Sequence, residues 1–347
     1  MTALRVAFAS GVRHAGSYLD ELRRDPRVEI VGVAEEADAP AWMHADGRRA
    51  AADAGVPWLE DIRSASDPDR VDLTVVCSEP TRHARLAADA MSAGVHVLVD
   101  KPVATTLADV DALLDLDRST PGTVSVVNRT HAAALRRTRA WIDAGHLGLP
   151  RHVDAEFLAS GAFFTRSVER PELVVDPALS GGGEILNFLG YCADAVLHLT
   201  GLEVESVYAM SGALFAAGHA EHGVEDTAVV SLGLSNGVTA TLTVGRIPFA
   251  PGLGPTSSSL RVLGSHGHAT ADDDQPAVLR FGAEGLAAHP IGGGGGVAPV
   301  RAWLTHMVDR LIAGAAPDYG LAEARASLAV VDAAYRSIAA GDVVRPG

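Results

Sequence analysis

The first third of the chain alternates short apolar runs with segments of helical period, and this alternation most constrains its fold. Nearly every residue of the apolar runs is hydrophobic, as expected of strands that are buried on both faces of a sheet. The predicted strands are residues 4–9, 28–34, 73–77, 95–99 and 123–127. The predicted helices between them are residues 17–24, 40–54, 81–93 and 107–117. This order predicts a doubly wound parallel α/β sheet with right-handed crossovers.

The rest of the chain has a different pattern, typical of an α/β domain with a mainly antiparallel open sheet. Predicted helices are residues 137–144, 183–199, 300–313 and 321–339. Predicted strands are residues 152–159, 204–210, 227–234, 238–244 and 259–262. Asn236-Gly237 stands between two of these strands and predicts a hairpin turn. Residues 251–258 and the glycine run 292–296 are expected to be surface loops, with a cover over the active site as the alternative.

Composition excludes several classes of partner. The net charge of −15 argues against nucleic acid, because phosphate neutralisation needs clustered Lys and Arg. No apolar run is long enough to cross a membrane, and no basic region followed by an apolar stretch marks a secretion signal. Cys77 and Cys192 are the only cysteines, so no disulfide framework is expected. We therefore expect a cytoplasmic protein that acts on a small molecule.

The turn after the first predicted strand resembles a degraded dinucleotide-binding loop. In the pattern G-x-G-x-x-G only Gly11 is in register, while Ala9 and His14 occupy the other two glycine positions. Glu35 follows the second predicted strand, where a carboxylate can hydrogen-bond the adenosine ribose and repel a 2′-phosphate. These features predict NAD, with NADP less favoured. A solvated strand-end charge is the alternative for Glu35.

Asp100-Lys101-Pro102, after the strand at residues 95–99, resembles the E-K-P signature of the Gfo/Idh/MocA oxidoreductases. Lys101 follows His83 by 18 positions, which is similar to the family spacing. Further segments that resemble the family are 78–83, Asn128-Arg129, 145–148, 181–194, 225–227 and 333–337. The resemblance covers nearly the whole chain and implies a Rossmann domain of residues 1–128 and a substrate-binding and oligomerisation domain of residues 129–347.

The segment that resembles the family's catalytic helix departs from the usual pattern. Asn187, Leu189 and Tyr191 stand where the family commonly has Asp, Gly and His, and Asp194 matches. With Tyr at the position of His, this segment resembles the branch of dihydrodiol and xylose dehydrogenases, which has Tyr there. Asn187, Tyr191 and Asp194 share one helix face at spacings of four and three residues.

These residues predict general acid–base chemistry. A tyrosine can take the alcohol proton if a nearby ammonium favours its phenolate. We expect Lys101 to orient the substrate hydroxyl and lower the pKa of Tyr191, and Asn187 to hydrogen-bond a substrate hydroxyl. A core tyrosine is the alternative for Tyr191, a structural cap or ion pair for Asp194, and a supporting role for His83. The predicted cofactor-binding residues are Ala9, Gly11, Val12, Arg13, His14, Glu35, Ser78, Glu79, Pro80, His83, Asp100, Lys101 and Asn128.

The resemblance implies an NAD-dependent oxidoreductase for a sugar, polyol or related cyclic hydroxy compound, assembled as a homodimer or homotetramer. A non-catalytic NAD-binding sensor or scaffold, an NAD-using glycosidase, and an imine or enone reductase remain alternatives. His219, Glu221 and His222 do not have the spacing of a zinc helix, so no metal is expected.

Overall fold

The computed structural model describes residues 3–161, 170–248, 256–272, 277–290 and 298–347. The chain forms two compact units, Met1–Val127 with Trp303–Arg325, and Asn128–Ala302 with Ala326–Gly347. The predicted domain boundary lies next to the division at Val127, but Trp303–Arg325 groups with the first unit. Within that unit Val126 N–H donates to the Tyr319 carbonyl at 3.5 Å, and Arg325 pairs with Asp111 at 2.5 Å.

The first unit contains a six-stranded sheet whose paired strands are all parallel. Its strands are β1 Leu4–Ala9, β2 Val28–Ala34, β3 Trp58–Leu59, β4 Leu73–Val76, β5 His96–Val99 and β6 Val124–Val126. The order is β3-β2-β1-β4-β5-β6, so the direction of winding reverses between β1 and β4. The predicted parallel sheet is confirmed, and such a reversal is where open α/β sheets bind ligands.

Helices cross between these strands: α1 Ala15–Leu22, α2 Ala41–Ala54, α3 Pro80–Ala93 and α4 Leu107–Asp117. A short 3₁₀ helix, Ile62–Ser66, precedes β4. Gly11 lies against α2, because a Cβ built on Gly11 would stand 2.7 Å from the Gly47 Cα. Gly11 therefore permits close packing of the loop on α2.

The second unit contains an eight-stranded sheet of order β14-β13-β12-β11-β7-β10-β9-β8. Its strands are β7 Pro150–Ser160, β8 Val204–Gly212, β9 Thr227–Leu234, β10 Thr239–Ile247, β11 Thr256–Gly264, β12 Gly267–Asp272, β13 Ala277–Gly282 and β14 Gly285–Pro290. Only the β7–β10 pair among these described strands is parallel. The mainly antiparallel sheet is confirmed. Between β9 and β10, Asn236 (φ 63°) and Gly237 (φ 72°) are both left-handed, which confirms the hairpin.

The remaining helices are α5 Ala133–Asp143, α6 Glu172–Val175, α7 Pro177–Ser180, α8 Glu184–Thr200, α9 Ala217–His222, α10 Ala298–Ile312 and α11 Leu321–Ala340. Helix α8 packs across β7 and β10. Side chains alternate along the strands, so that Val207 and Val230 are buried while Met210 is 60% exposed on the opposite face. One face of the sheet thus forms the core of this unit.

Two predicted loops fall largely outside the described residues. The glycine run 292–296 lies outside them, as do residues 251–255, while residues 256–258 belong to β11. None of the helices in the described ranges has the length and apolar character needed to cross a membrane.

Candidate active site

The loop from β1 to α1 adopts the tight turn that a dinucleotide loop requires. Ser10 (φ 72°) and Arg13 (φ 50°) are both in the left-handed region, which favours glycine. The first turn of α1 receives no hydrogen bond from the side chain of its N-cap residue, His14. Helix N–H groups in this position can donate to an anion such as a pyrophosphate.

His14, which stands at a glycine position of the fingerprint, is directed at the end of β5. Its Nδ1 lies 2.7 Å from Asp100 Oδ2, while Tyr18 donates its hydroxyl to Asp100 Oδ1 at 2.6 Å. The Lys101 N–H also donates to Asp100, at 2.8 Å. Burial alone would raise the pKa of Asp100, but His14 and Arg13 outweigh burial and hold that pKa below its usual range. Burial is also the largest influence on His14 and lowers its pKa.

Glu35, the predicted ribose reader, is 2% exposed and already makes several hydrogen bonds. Its Oε2 accepts from Ser10 Oγ at 2.6 Å, and its Oε1 accepts from Glu36 N–H and Arg82 Nη1, both at 3.0 Å. A solvated strand-end charge therefore does not describe Glu35. Ser10 and Arg82 were missed by the sequence analysis, although Arg82 stands one helical turn after Glu79, a spacing that indicates an ion pair.

The start of α3 places the next predicted residues at the reversal of strand order. Ser78 and Glu79 follow β4, and Pro80 is the first residue of α3. Buried Glu79 accepts from Arg82 Nε through Oε1 at 2.6 Å, whereas its Oε2 has no hydrogen-bond partner among the described residues. Such an orphaned buried acceptor is costly unless a ligand donates to it.

His83 is fully buried and connects this segment with the Asp100-Lys101-Pro102 turn. Its Nδ1 lies 2.6 Å from the Pro102 carbonyl oxygen and its Nε2 lies 2.9 Å from the Ser78 carbonyl oxygen. Burial lowers the pKa of His83, while the two carbonyl acceptors favour its doubly protonated form. This geometry favours the supporting role over direct contact with a cofactor.

In the second unit, α8 is mostly buried but opens at Asn187 and Tyr191. Both side chains are half-buried, whereas Phe188 and Cys192 beside them are buried. The Tyr191 ring lies 5.1 Å from the Phe157 ring. The Tyr191 side chain also lines a cavity of about 40 Å³, which has room for water. Tyr191 is therefore accessible enough to exchange a proton.

Arg129 lies beside this tyrosine. Its guanidinium carbon is 5.5 Å from the centre of the Tyr191 ring and 5.0 Å from that of Phe157. A guanidinium at this distance makes a cation–π contact with each aromatic ring. Arg129 was not among the predicted site residues, although it follows Asn128 in the segment that resembles the family.

Asn187 is held by a buried charged cluster. It donates from Nδ2 to Glu184 Oε2 at 2.8 Å, and Glu184 Oε1 accepts from Arg246 Nε at 2.5 Å. His219 Nε2 lies 3.1 Å from the same Oε1 atom. Burial alone would raise the pKa of Glu184, but Arg246 and these hydrogen bonds lower it to about 2. The cluster fixes the start of α8 and the amide of Asn187.

Asp194 and Asn128 have structural partners in the second unit. Asp194 Oδ1 accepts a hydrogen bond from Ser327 Oγ on α11. Asn128 Oδ1 accepts from Thr130 N–H at 2.9 Å and from Thr130 Oγ1 at 2.7 Å, which closes a local turn. Asp194 thus has a hydrogen-bond partner within its own unit.

The first unit fits a bound dinucleotide. The uncapped first turn of α1 suits a diphosphate, and the orphaned Glu79 oxygen suits a hydroxyl donor of the ribose. Lys101, 8% exposed, follows β5 at the same sheet edge and carries a cation there. A dinucleotide needs oxygen acceptors for its ribose hydroxyls and N–H donors for its diphosphate, and the first unit offers both.

Family models match both units. Residues 8–128 match the oxidoreductase family model of the NAD-binding Rossmann fold, and residues 135–270 match the GFO/IDH/MocA C-terminal domain. NAD as the cofactor is thereby confirmed.

Individual relatives are more distant. The chain is 27% identical over 214 residues to "Uncharacterized oxidoreductase YrbE" of Bacillus subtilis, covering 61% of this chain and 58% of the relative. It is 32% identical over 179 residues to 1,5-anhydro-D-fructose reductase of Ensifer adhaerens, covering 50% of each. The two matches thus span 58% and 50% of the length of these relatives.

The fold matches over its full length. A solved oxidoreductase from Agrobacterium radiobacter in complex with NAD+, L-tartaric acid and magnesium has a TM-score of 0.84. It is 18% identical to this chain, and the match covers 100% of this chain and 99% of that one. With family models on both units and this shared fold, the chain belongs to the Gfo/Idh/MocA family of oxidoreductases.

Proposed function

We propose that the protein is an NAD-dependent dehydrogenase or reductase for a CH–OH group of a sugar, polyol or related cyclic hydroxy compound. The observation that carries this proposal is the half-buried Tyr191 with the Arg129 guanidinium 5.5 Å from its ring. Oxidising an alcohol needs a group that accepts the hydroxyl proton, and a tyrosine next to a cation suits that task. The relative that acts on 1,5-anhydro-D-fructose supports a sugar-like substrate.

Bound NAD supplies the hydride acceptor in oxidation and its reduced form the donor in reduction. Tyr191 takes the proton from the substrate hydroxyl as the carbon–hydrogen bond breaks, and it returns a proton to the oxygen in the reverse direction. Asn187, held by Glu184, hydrogen-bonds a second substrate hydroxyl.

We propose NAD rather than NADP because carboxylates dominate the end of β2. Glu35 and Glu36 lie there, and Glu79 follows the strand at the reversal of the sheet. Carboxylates accept hydrogen bonds from ribose hydroxyls and repel a 2′-phosphate.

The direct test is a binding titration followed by a substrate screen. We expect saturable NADH binding, tighter than NADPH binding, and NAD reduction with one or more sugars or polyols. Tyr191→Phe should lower kcat about a hundred- to ten-thousand-fold with NADH affinity kept, because only the proton acceptor is lost. Tyr208→Phe, a tyrosine on β8, is the matched control and should keep full turnover. Full turnover in Tyr191→Phe, or NAD binding without turnover on any hydroxy compound, would contradict the proposal.

We also propose a homodimer or homotetramer that forms through the outer face of the second sheet. Met210 and Val229 are 60% and 39% exposed there, although both are apolar. Exposed apolar side chains grouped on one sheet face are typical of an interface.

We propose a cytoplasmic location on the chemistry of the two cysteines. Cys77 and Cys192 are both free and buried, and burial raises the pKa of each thiol. Free thiols are the usual state in a reducing compartment. Cell fractionation tests this location.

A further inference from the structure

Arg82 is surrounded by the carboxylates of three glutamates. Its Nε donates to Glu79 at 2.6 Å, and its Nη1 donates to Glu36 at 2.7 Å and to Glu35 at 3.0 Å. Its Nη2 contacts Met43 Sδ at 3.1 Å. The guanidinium thus reaches from the first turn of α3 to the end of β2.

Arg82 thereby lies at the end of the second strand, where a dinucleotide fold is expected to hold the 2′ oxygen of an adenosine ribose. In dinucleotide folds the carboxylate after the second strand binds the 2′-hydroxyl, whereas an arginine nearby accommodates the 2′-phosphate of NADP. Arg82 is one hydrogen bond away from Glu35, which occupies the carboxylate position. A guanidinium able to bind phosphate is therefore already present.

The surrounding carboxylates keep Arg82 from binding a 2′-phosphate. Arg85 also pairs with Glu36, at 2.5 Å, so that two guanidinium groups face three carboxylates. One formal negative charge remains, which repels a second anion. The buried Glu79 Oε2, an acceptor without a partner among the described residues, likewise favours a hydroxyl donor over a phosphate.

We propose that Arg82 sets the choice between NAD and NADP, as a 2′-phosphate-binding guanidinium that Glu36 and Glu79 hold in a form selective for NAD. This inference rests on the proposed binding of NAD by the first unit. Loss of the two glutamate charges should release Arg82 toward the 2′ position. The site would then accept the phosphorylated ribose without any new cation.

The test compares 5′-AMP with 2′,5′-ADP by titration calorimetry, since the two probes differ only in the 2′-phosphate. The variants are Glu36→Gln, Glu36→Gln with Glu79→Gln, and the latter pair with Arg82→Met. Asp89→Asn is the matched control, because it removes one carboxylate 3.5 Å from Arg85 without touching Arg82. Circular dichroism verifies that each variant is folded.

We expect the wild type to prefer 5′-AMP. The double glutamine variant should bind 2′,5′-ADP at least about tenfold more tightly than the wild type, because charge-assisted hydrogen bonds to phosphate replace those to carboxylate. Arg82→Met should abolish that gain, and Asp89→Asn should leave the preference unchanged. The single Glu36→Gln change should give a smaller gain in the same direction. It serves alone if the double variant is unfolded, because the Glu36 side chain is partly exposed.

Three results would overturn the inference: no gain in either glutamine variant, an equal gain in Asp89→Asn, or a gain that survives Arg82→Met. The proposed function stands in each of these cases, provided that the wild type binds 5′-AMP and NADH. A wild type that binds neither probe nor NADH would overturn both.

Discussion

Replacing Arg246 by Met should destabilise the second unit more than any surface substitution. Arg246 and Glu184 are both almost fully buried, and their contact is 2.5 Å long. Methionine fills a similar space but leaves the Glu184 carboxylate without its cationic partner. Breaking a buried ion pair in this way costs about 3–5 kcal/mol of unfolding free energy.

The acid–base behaviour of Glu184 leads to the same magnitude. Its pKa falls from 4.5 to about 2 in the folded protein. A shift of this size corresponds to roughly 3 kcal/mol. Because the folded pKa is depressed, this stability is fully present above pH 4.5 and is lost as the pH falls toward 2.

Urea unfolding followed by circular dichroism measures the effect at pH 7 and again at pH 4. Arg261→Met is the matched control, because Arg261 pairs with Asp154 at the same distance of 2.5 Å but on an exposed face. That surface pair should be worth less than about 1 kcal/mol. A double variant, Glu184→Gln with Arg246→Met, removes both charges and should recover part of the loss.

Equal destabilisation by Arg246→Met and Arg261→Met would refute this prediction. An equal loss of stability from pH 7 to pH 4 in the double variant and the wild type would also refute it, since the double variant has no Glu184 charge. Because Glu184 also holds the amide of Asn187, the single variant should raise the KM for substrate even where it remains folded.

Three further outcomes follow from single contacts. Gly11→Ala should lower the melting temperature and weaken NADH binding, because its Cβ would stand 2.7 Å from Gly47; overpacking of this kind costs about 1–3 kcal/mol, and unchanged melting would contradict it. Met210→Asp should yield a monomer in light scattering if the outer face of the second sheet is the interface, whereas an unchanged mass would exclude that face. Burial lowers the pKa of His14, so stability should decline as the pH falls below 6.5, and His14→Asn should flatten that decline in thermal melts.

The parallel sheet was predictable because its strands are apolar along their whole length. Val6, Phe8, Val75 and Leu98 are fully buried, and such runs are read directly from sequence. Strands β12, β13 and β14 were missed, since an edge of an antiparallel sheet buries few side chains. Leu286 in β14, for example, is 61% exposed. Pairing rather than hydrophobicity defines those strands.

Site residues that directly follow a predicted strand could be predicted from the sequence. Site residues whose role depends on a contact with a residue far away in sequence could not. Lys101 and Glu35 each follow a buried strand, and the topology alone brings them to one edge of the sheet. Arg82 and Arg129 are candidate site residues because of the side chains they contact, and those side chains are distant in sequence. Arg82 meets Glu35 across 47 positions, a separation that no local pattern encodes.

The dinucleotide loop keeps a tight turn although two of its three glycine positions hold Ala9 and His14. A glycine fingerprint supplies a tight turn, room for the pyrophosphate and close packing of the helix. Ser10 makes the left-handed turn without being glycine, and its hydroxyl hydrogen bond to Glu35 offsets a cost of about 1–2 kcal/mol. The His14 side chain is bound to Asp100 instead of lying free in the loop. Since Asp100 also receives the Lys101 N–H, the loop and the Asp100-Lys101-Pro102 turn share one carboxylate. Asp100→Asn should therefore both weaken NADH binding and change the rate at which an amine-directed reagent modifies Lys101. If only NADH binding or only the modification rate changes, the loop and the turn do not depend on the same carboxylate.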